Sequence, residues 1–99
     1  MTLREIAHAR AGDKGDICNI SLIVFDPRDY PRIVEHVTPE RVRVHFSGLV
    51  QGDITRFELP HLGALNFVMT GALRGGVTRS LALDAHGKSL SSLLLNLDI

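Results

Sequence analysis

The sequence predicts an α+β fold, a ferredoxin-like two-layer sandwich in which a small mixed sheet carries helices on one face. Three observations carry that expectation. Segments 16–25, 53–59 and 77–84 alternate apolar and polar residues as strands do, while the segments between them repeat apolar residues at helical spacing. The elements run β-β-α-α-β-α-β-α, mixing strands and helices without the strict alternation of a parallel α/β fold. Ninety-nine residues, 44% apolar and 22% charged, suit one folded core, so residues 1–99 are read as a single domain.

The first element is a short strand over 3–9, followed by the glycine-containing loop 10–15, which joins it to a neighbouring strand. That second strand, D-I-C-N-I-S-L-I-V-F over 16–25, places Cys18, Ile20, Leu22 and Val24 on one face. Beyond Pro27, Tyr30, Ile33, Val34 and Val37 fall at helical spacing. Thr38-Pro39-Glu40 then supplies a capping residue, a proline at the first helical position and an acid in the first turn, which starts a second helix running to about Phe46. Residues 53–59 alternate as a strand with one mixed face. Pro60 opens the next expected helix, in which Leu62, Leu65, Met69 and Leu73 recur at spacings of three and four, and Gly75-Gly76 ends it. A strand over 77–84 follows. In the last segment Leu90, Leu93, Leu94 and Leu97 fit a helix, although Leu93, Leu95, Leu97 and Ile99 also fit a strand; helix is the reading adopted.

Acidic and basic residues balance at 11 each, so no general field draws the chain to nucleic acid or to an anionic membrane. Zero net charge also removes the repulsion that keeps copies apart, which favours a homo- or hetero-oligomer. Cys18 is the lone cysteine and cannot form an internal disulfide. The N-terminal residues lack the apolar core of a signal peptide, and no apolar run approaches the roughly 18–20 residues that span a bilayer. The expectation is a cytoplasmic protein.

The most unusual stretch is His8-Ala9-Arg10-Ala11-Gly12-Asp13-Lys14-Gly15-Asp16. Gly12 and Gly15 let backbone amides approach an anion, and Arg10 and Lys14 add charge-assisted hydrogen bonds to a phosphate or carboxylate. Asp13 and Asp16 can act as base, magnesium ligand or ion-pair partner, so Asp13, Lys14 and Asp16 are the catalytic candidates. G-D-K-G-D is not a nucleotide-binding P-loop, because it lacks the four-residue gap and the hydroxyl residue after lysine. The same stretch also reads as a tight turn whose charges neutralise one another.

A second stretch runs from Arg74 through Gly75, Gly76 and Thr78 to Arg79. It reads either as an anion nest or as a helix cap followed by a strand. Arg79 falls on an apolar strand face, so either it is covered and paired with an acid, Asp13, Asp16 or Glu58 being the candidates, or this face is incomplete until a partner arrives; the expectation is a carboxylate partner, with segment 74–79 near 10–16. Asn66, beside the apolar stripe, either satisfies backbone groups or touches a ligand. The five histidines show no zinc spacing, there is no G-x-S-x-G elbow, and Cys18 reads as a core residue; neither a metal nor a cofactor is expected.

Three blocks together resemble a known family: A-H-A-R-A-G-D-K-G-D at 7–16, F-E-L-P-H-L-G-A-L-N-F-V at 57–68 and G-G-V-T-R-S-L-A-L-D-A-H-G-K at 75–88. The chain is similar to the AtuA-like ferredoxin-fold domain of acyclic terpene utilisation proteins, and the blocks cover most of its length. The resemblance implies a small subunit or accessory domain beside a larger AtuA-type protein, in catabolism of branched or terpenoid acids handled as acyl-coenzyme A thioesters. It also implies that the recurring residues Arg10, Gly12, Asp13, Lys14, Gly15, Asp16 and Asn19 belong to one block, Asn66 to the second, and Gly75, Gly76, Thr78 and Arg79 to the third. His86 stands where glutamine would be unsurprising. The alternative reading is an independent small enzyme that binds an anion or acyl-coenzyme A through 10–16.

Overall fold

The computed structural model describes residues 1–14, 17–46, 49, 50, 52–71 and 88–99. Leu3–Glu5 forms a 3-10 turn, and the chain then enters β1, Ala7–Lys14, and β2, Ile17–Val24. A 3-10 turn over Pro27–Asp29 leads into α1, Tyr30–His36, and then α2, Pro39–His45. β3, Ile54–Leu59, turns through Pro60–Leu62 into β4, Ala64–Thr70, and α3, Lys88–Leu95, closes the described chain. The strands form one sheet in the order β1-β2-β4-β3. Its described ladders are all antiparallel, so the mixed character expected of the sheet does not lie in them.

The two hairpins lie side by side through β2 and β4, with Cys18, Ile20 and Leu22 opposite Met69, Phe67 and Leu65. All six are buried, and they meet Ile33 of α1, Val42 of α2, and Leu90 and Leu94 of α3 in one core. The helices therefore pack on one face of the sheet, and the α+β sandwich expected from the sequence holds. β1 lines this face with Ala7, Ala9 and Ala11, small side chains that let α3 approach its backbone. Thr38 caps α2, its hydroxyl accepting a hydrogen bond from the Arg41 amide.

Three expectations are corrected. Residues 3–5 are a turn and not a strand, because Thr2 and Glu5 close a capping box around them. The 10–15 loop is for the most part strand: β1 runs on to Lys14, and each residue from Arg10 to Lys14 has a partner in β2. The helix expected after Pro60 is one 3-10 turn followed by the central strand β4. Gly63, at φ 61°, ends the turn in a left-handed conformation that favours glycine, and beyond it Leu65, Phe67 and Met69 alternate with Asn66, Val68 and Thr70. Leu65 and Met69 fit both periods, but only a strand buries Phe67 with them. The last segment is the helix that was preferred. The expected end of a helix at Gly75-Gly76 and the strand over 77–84 lie outside the described residues.

Candidate functional site

With three helices on one face, the other face of the sheet carries no helix among the described residues. The ladders set its composition. Arg10 stands opposite Ser21, Ser21 opposite Asn66, and Asn66 opposite Phe57, so these four residues form one rung across all four strands. In the adjacent rung Gly12, Asn19, Val68 and Thr55 are partners, and in the next Ile17 faces Thr70. Asn66 Nδ2 donates to Ser21 Oγ at 2.9 Å. That bond orients both groups: the Asn66 Oδ1 remains an acceptor, and the Ser21 hydroxyl, already accepting, keeps its proton for another acceptor.

Arg10 is exposed, and among the described residues its guanidinium has neither an ion-pair nor a hydrogen-bond partner. An unengaged planar fork beside an oriented hydroxyl and the exposed amide of Asn19 suits two oxygens of a carboxylate or phosphate. Apolar surface flanks it: Phe57 is 51% and Ile17 43% exposed. On the neighbouring rung His8 stacks on the exposed Phe25, with ring centroids 5.4 Å apart.

Gly12 sits mid-strand between Arg10 and Lys14. Among the described residues a methyl group there would meet nothing nearer than the Asn19 amide at 3.6 Å, an ordinary contact. The packing of the described residues does not need a glycine here, and a bare strand backbone is one of the signs of a close approach by a ligand or another backbone. Gly52 is the opposite case. Its amide bonds the Thr70 carbonyl at 3.0 Å, and an added methyl would overlap that carbonyl and Thr70 Oγ1.

Of the residues singled out from the sequence, the structure thus brings Arg10, Gly12, Asn19 and Asn66 into two adjacent rungs. Asp13 pairs with Cys18, at the register position alternate to Arg10 and Gly12, while Lys14 pairs with Ile17. Gly15, Asp16, Arg74, Gly75, Gly76, Thr78 and Arg79 lie outside the described residues, and so does the expected approach of 74–79 to 10–16. Ser21 was missed. Its signal was a hydroxyl at the polar phase it shares with Asn19 in β2, in register with Arg10 once 10–14 is read as strand.

Arg56 was also passed over. It stands on the helix-covered side of β3, 16% exposed, where its Nη1 donates to the carbonyls of Val34 at 2.8 Å and Val37 at 3.0 Å while Nη2 meets Glu58 at 3.3 Å. It satisfies the carboxyl end of α1 and is structural. Among the described residues no group of three or more metal-ligating side chains converges, and no helix is long and apolar enough to cross a membrane.

A family model described as the AtuA ferredoxin-like domain matches residues 1–99. Neither the curated proteins nor the solved structures yield a match.

Proposed function

The chain belongs to the AtuA ferredoxin-like domain family, and from that membership we propose that residues 1–99 act as one accessory domain or small subunit of a larger AtuA-type protein, in catabolism of branched or terpenoid acids carried as acyl-coenzyme A thioesters. The observation that supports this best is the rung Arg10-Ser21-Asn66-Phe57, on the sheet face that carries no helix among the described residues. It couples an unengaged cation and two oriented polar groups to exposed aromatic surface, a composition suited to a protein interface with an anionic group at its centre. Within it Arg10 holds the anion, Asn19 and Asn66 direct it, and Gly12 lets it approach the backbone. Asp13, Lys14 and Asp16 remain the groups proposed to move a proton, and Gly15, Gly75, Gly76, Thr78 and Arg79 complete the proposed ligand shell. Homo- or hetero-oligomeric assembly and a cytoplasmic setting belong to the same reading.

The test is to mix the chain with the larger AtuA-type protein of the same genome and read the mass of the product by light scattering. A complex with a dissociation constant on the order of micromolar, weakened about tenfold by Arg10→Ala and also by Phe57→Ala, is the expected result. Failure of the two to associate at that concentration refutes the reading. The Arg10 fork, unpartnered among the described residues, favours one second reading, an independent small anion- or acyl-coenzyme A-binding enzyme. On that reading coenzyme A or inorganic phosphate raises the melting temperature of the chain alone, and Arg10→Ala abolishes the rise.

A further inference from the structure

The other notable surface is an edge. β1 is terminal in the described sheet, and a groove of about 390 Å³ runs between it and α3, lined by Ala9, Arg10, Ala11, Ser91 and Ser92. What the strand offers to that groove follows from the phase of its ladder. The Phe25 amide donates to the Ile6 carbonyl at 3.0 Å, one step before the pair Ala7 and Val24. In an antiparallel ladder bonded and non-bonded pairs alternate. Ile6, His8, Arg10 and Gly12 therefore bond β2, whereas Ala7, Ala9, Ala11 and Asp13 turn their amides and carbonyls outward. The next ladder agrees: the Val24 amide bonds the Gly63 carbonyl, so the even-numbered residues of β2 serve β4 and leave its odd-numbered ones to β1. The groove is thus floored by the outward N–H and C=O groups of Ala9 and Ala11, two residues apart at the repeat of a pairing strand, with methyl groups too small to obstruct an incomer.

We propose that this edge accepts an extended segment of a partner protein carrying acidic side chains at alternate positions. Charge selects the occupant. His8, Arg10 and Lys14 occupy alternate positions of β1. In a second copy only odd-numbered residues could pair with odd-numbered ones, which sets Arg10 against His8, Arg10, Gly12 or Lys14; the registers that meet Arg10 or Lys14 oppose cation to cation, and none supplies Arg10 with an acid. A strand with glutamate or aspartate opposite Arg10 gives that guanidinium the acid a second copy lacks, and its backbone pairs with Ala9 and Ala11 as in strand addition to other sheet edges. The inference shares Arg10 with the function proposed above but takes its backbone contacts from the edge of β1, so protection at Ala9 and Ala11 tests it separately from that function.

The probe is a capped hexapeptide alternating glutamate with valine, compared with its lysine counterpart, titrated into the ¹⁵N-labelled chain to about 1 mM, the weak end of the affinity scale. The expected result has a signature that no other site produces. The amides of Ala9 and Ala11 shift and gain protection from hydrogen exchange, while those of Arg10 and Gly12, already bonded to β2, keep the protection they had. Ala11→Pro removes one outward donor without touching the β2 ladder and weakens binding about tenfold while Arg10 and Gly12 keep their protection. Arg10→Glu reverses the preference between the two peptides. No binding of the acidic peptide, equal binding of both, or protection gained at even-numbered positions overturns the proposal. If Ala9 and Ala11 are already protected in the free monomer, or become so with rising chain concentration alone, the edge belongs to the chain itself or to a second copy and the acidic partner is ruled out.

Discussion

Gly12 and Gly52 make opposite predictions from the same substitution. Gly12→Ala puts a methyl group where there is room, so stability should hold or rise by roughly 0.5–1 kcal/mol in urea denaturation, while association with the larger protein weakens because the bare backbone is gone. Gly52→Ala drives a methyl group into the Thr70 carbonyl and hydroxyl, and should cost about 2 kcal/mol or more. Equal stability losses for the two would remove the argument that Gly12 is kept for a ligand. Tyr30 gives a third test at this scale. Its hydroxyl is buried and finds no hydrogen-bond partner among the described residues. Burial first, then the neighbouring Glu58 carboxylate, raises its pKa above the ordinary tyrosine value, with a Leu59 backbone contact that falls short of a hydrogen bond, and then Arg56, offsetting a part. The neutral phenol is therefore the form the fold prefers. Its contribution is intact below the unfolded pKa near 10 and is lost as pH rises beyond it, since the unfolded chain then releases a proton that the folded chain holds. Tyr30→Phe should raise stability at neutral pH by about 1 kcal/mol and flatten the decline in melting temperature above pH 10. A mutant with the same alkaline decline as the parent would place its cause elsewhere.

Among the elements, α1 depends on a side chain from another layer. The carbonyls of Val34 and Val37 at its end are both met by Arg56 of β3. Arg56→Met keeps much of the apolar stem but strands those carbonyls, and should cost about 2 kcal/mol in chemical denaturation. A loss no larger than that of Thr38→Ala, whose cap is worth about 1 kcal/mol, would mean that water replaces Arg56 without penalty. The same layer shows what the sequence made legible. β2, α1, α2 and β3 were readable because each carries one unambiguous period and, for α2, a capping threonine and a proline. β4 was not, since Leu62, Leu65 and Met69 sit at spacings of three and four while Leu65, Phe67 and Met69 sit at two; which period is used depends on β2 and β3 flanking it. β1 was hidden by its own packing. A strand pressed against a helix uses alanine at positions where valine or isoleucine would announce it, and its other face carries His8, Arg10 and Gly12, residues that read as a loop. The candidate site inherited both errors. Arg10, Gly12, Asn19 and Asn66 were named from the sequence, but their union in two rungs, and the part played by Ser21, depend on a register that exists only once 10–14 and 64–70 are strands.

For the whole molecule, the two ends of the chain close the core together. The Leu3 amide donates to the Leu97 carbonyl at 2.8 Å, the Ile99 amide to the Met1 carbonyl at 2.9 Å, and Thr2 and Asp98 form a bridge between them. Arg41 of α2 reaches the Asp98 carbonyl, Arg4 reaches Asn96 at 3.1 Å, and Leu97 is 94% buried beneath them. Further along, His45 Nε2 donates to the Leu93 carbonyl at 2.6 Å, tying α2 to α3. Removing residues 96–99 should therefore act as a core mutation and not as the trimming of a tail. One buried leucine contributes about 2 kcal/mol, and the lost backbone and arginine hydrogen bonds contribute about 1 kcal/mol more. A loss near 3 kcal/mol corresponds to a fall in melting temperature of about 12 °C or more for a chain of this size. Asp98→Asn is the control, because it removes only the surface pair with the Met1 ammonium at 3.1 Å, an interaction worth at most about 1 kcal/mol. A truncated chain that melts within about 4 °C of the parent would mean that the terminal bridge is ornamental. A large fall with an unchanged affinity per folded molecule for the AtuA-type partner would separate the strap that holds the sheet and helices together from the open face through which the domain is proposed to work.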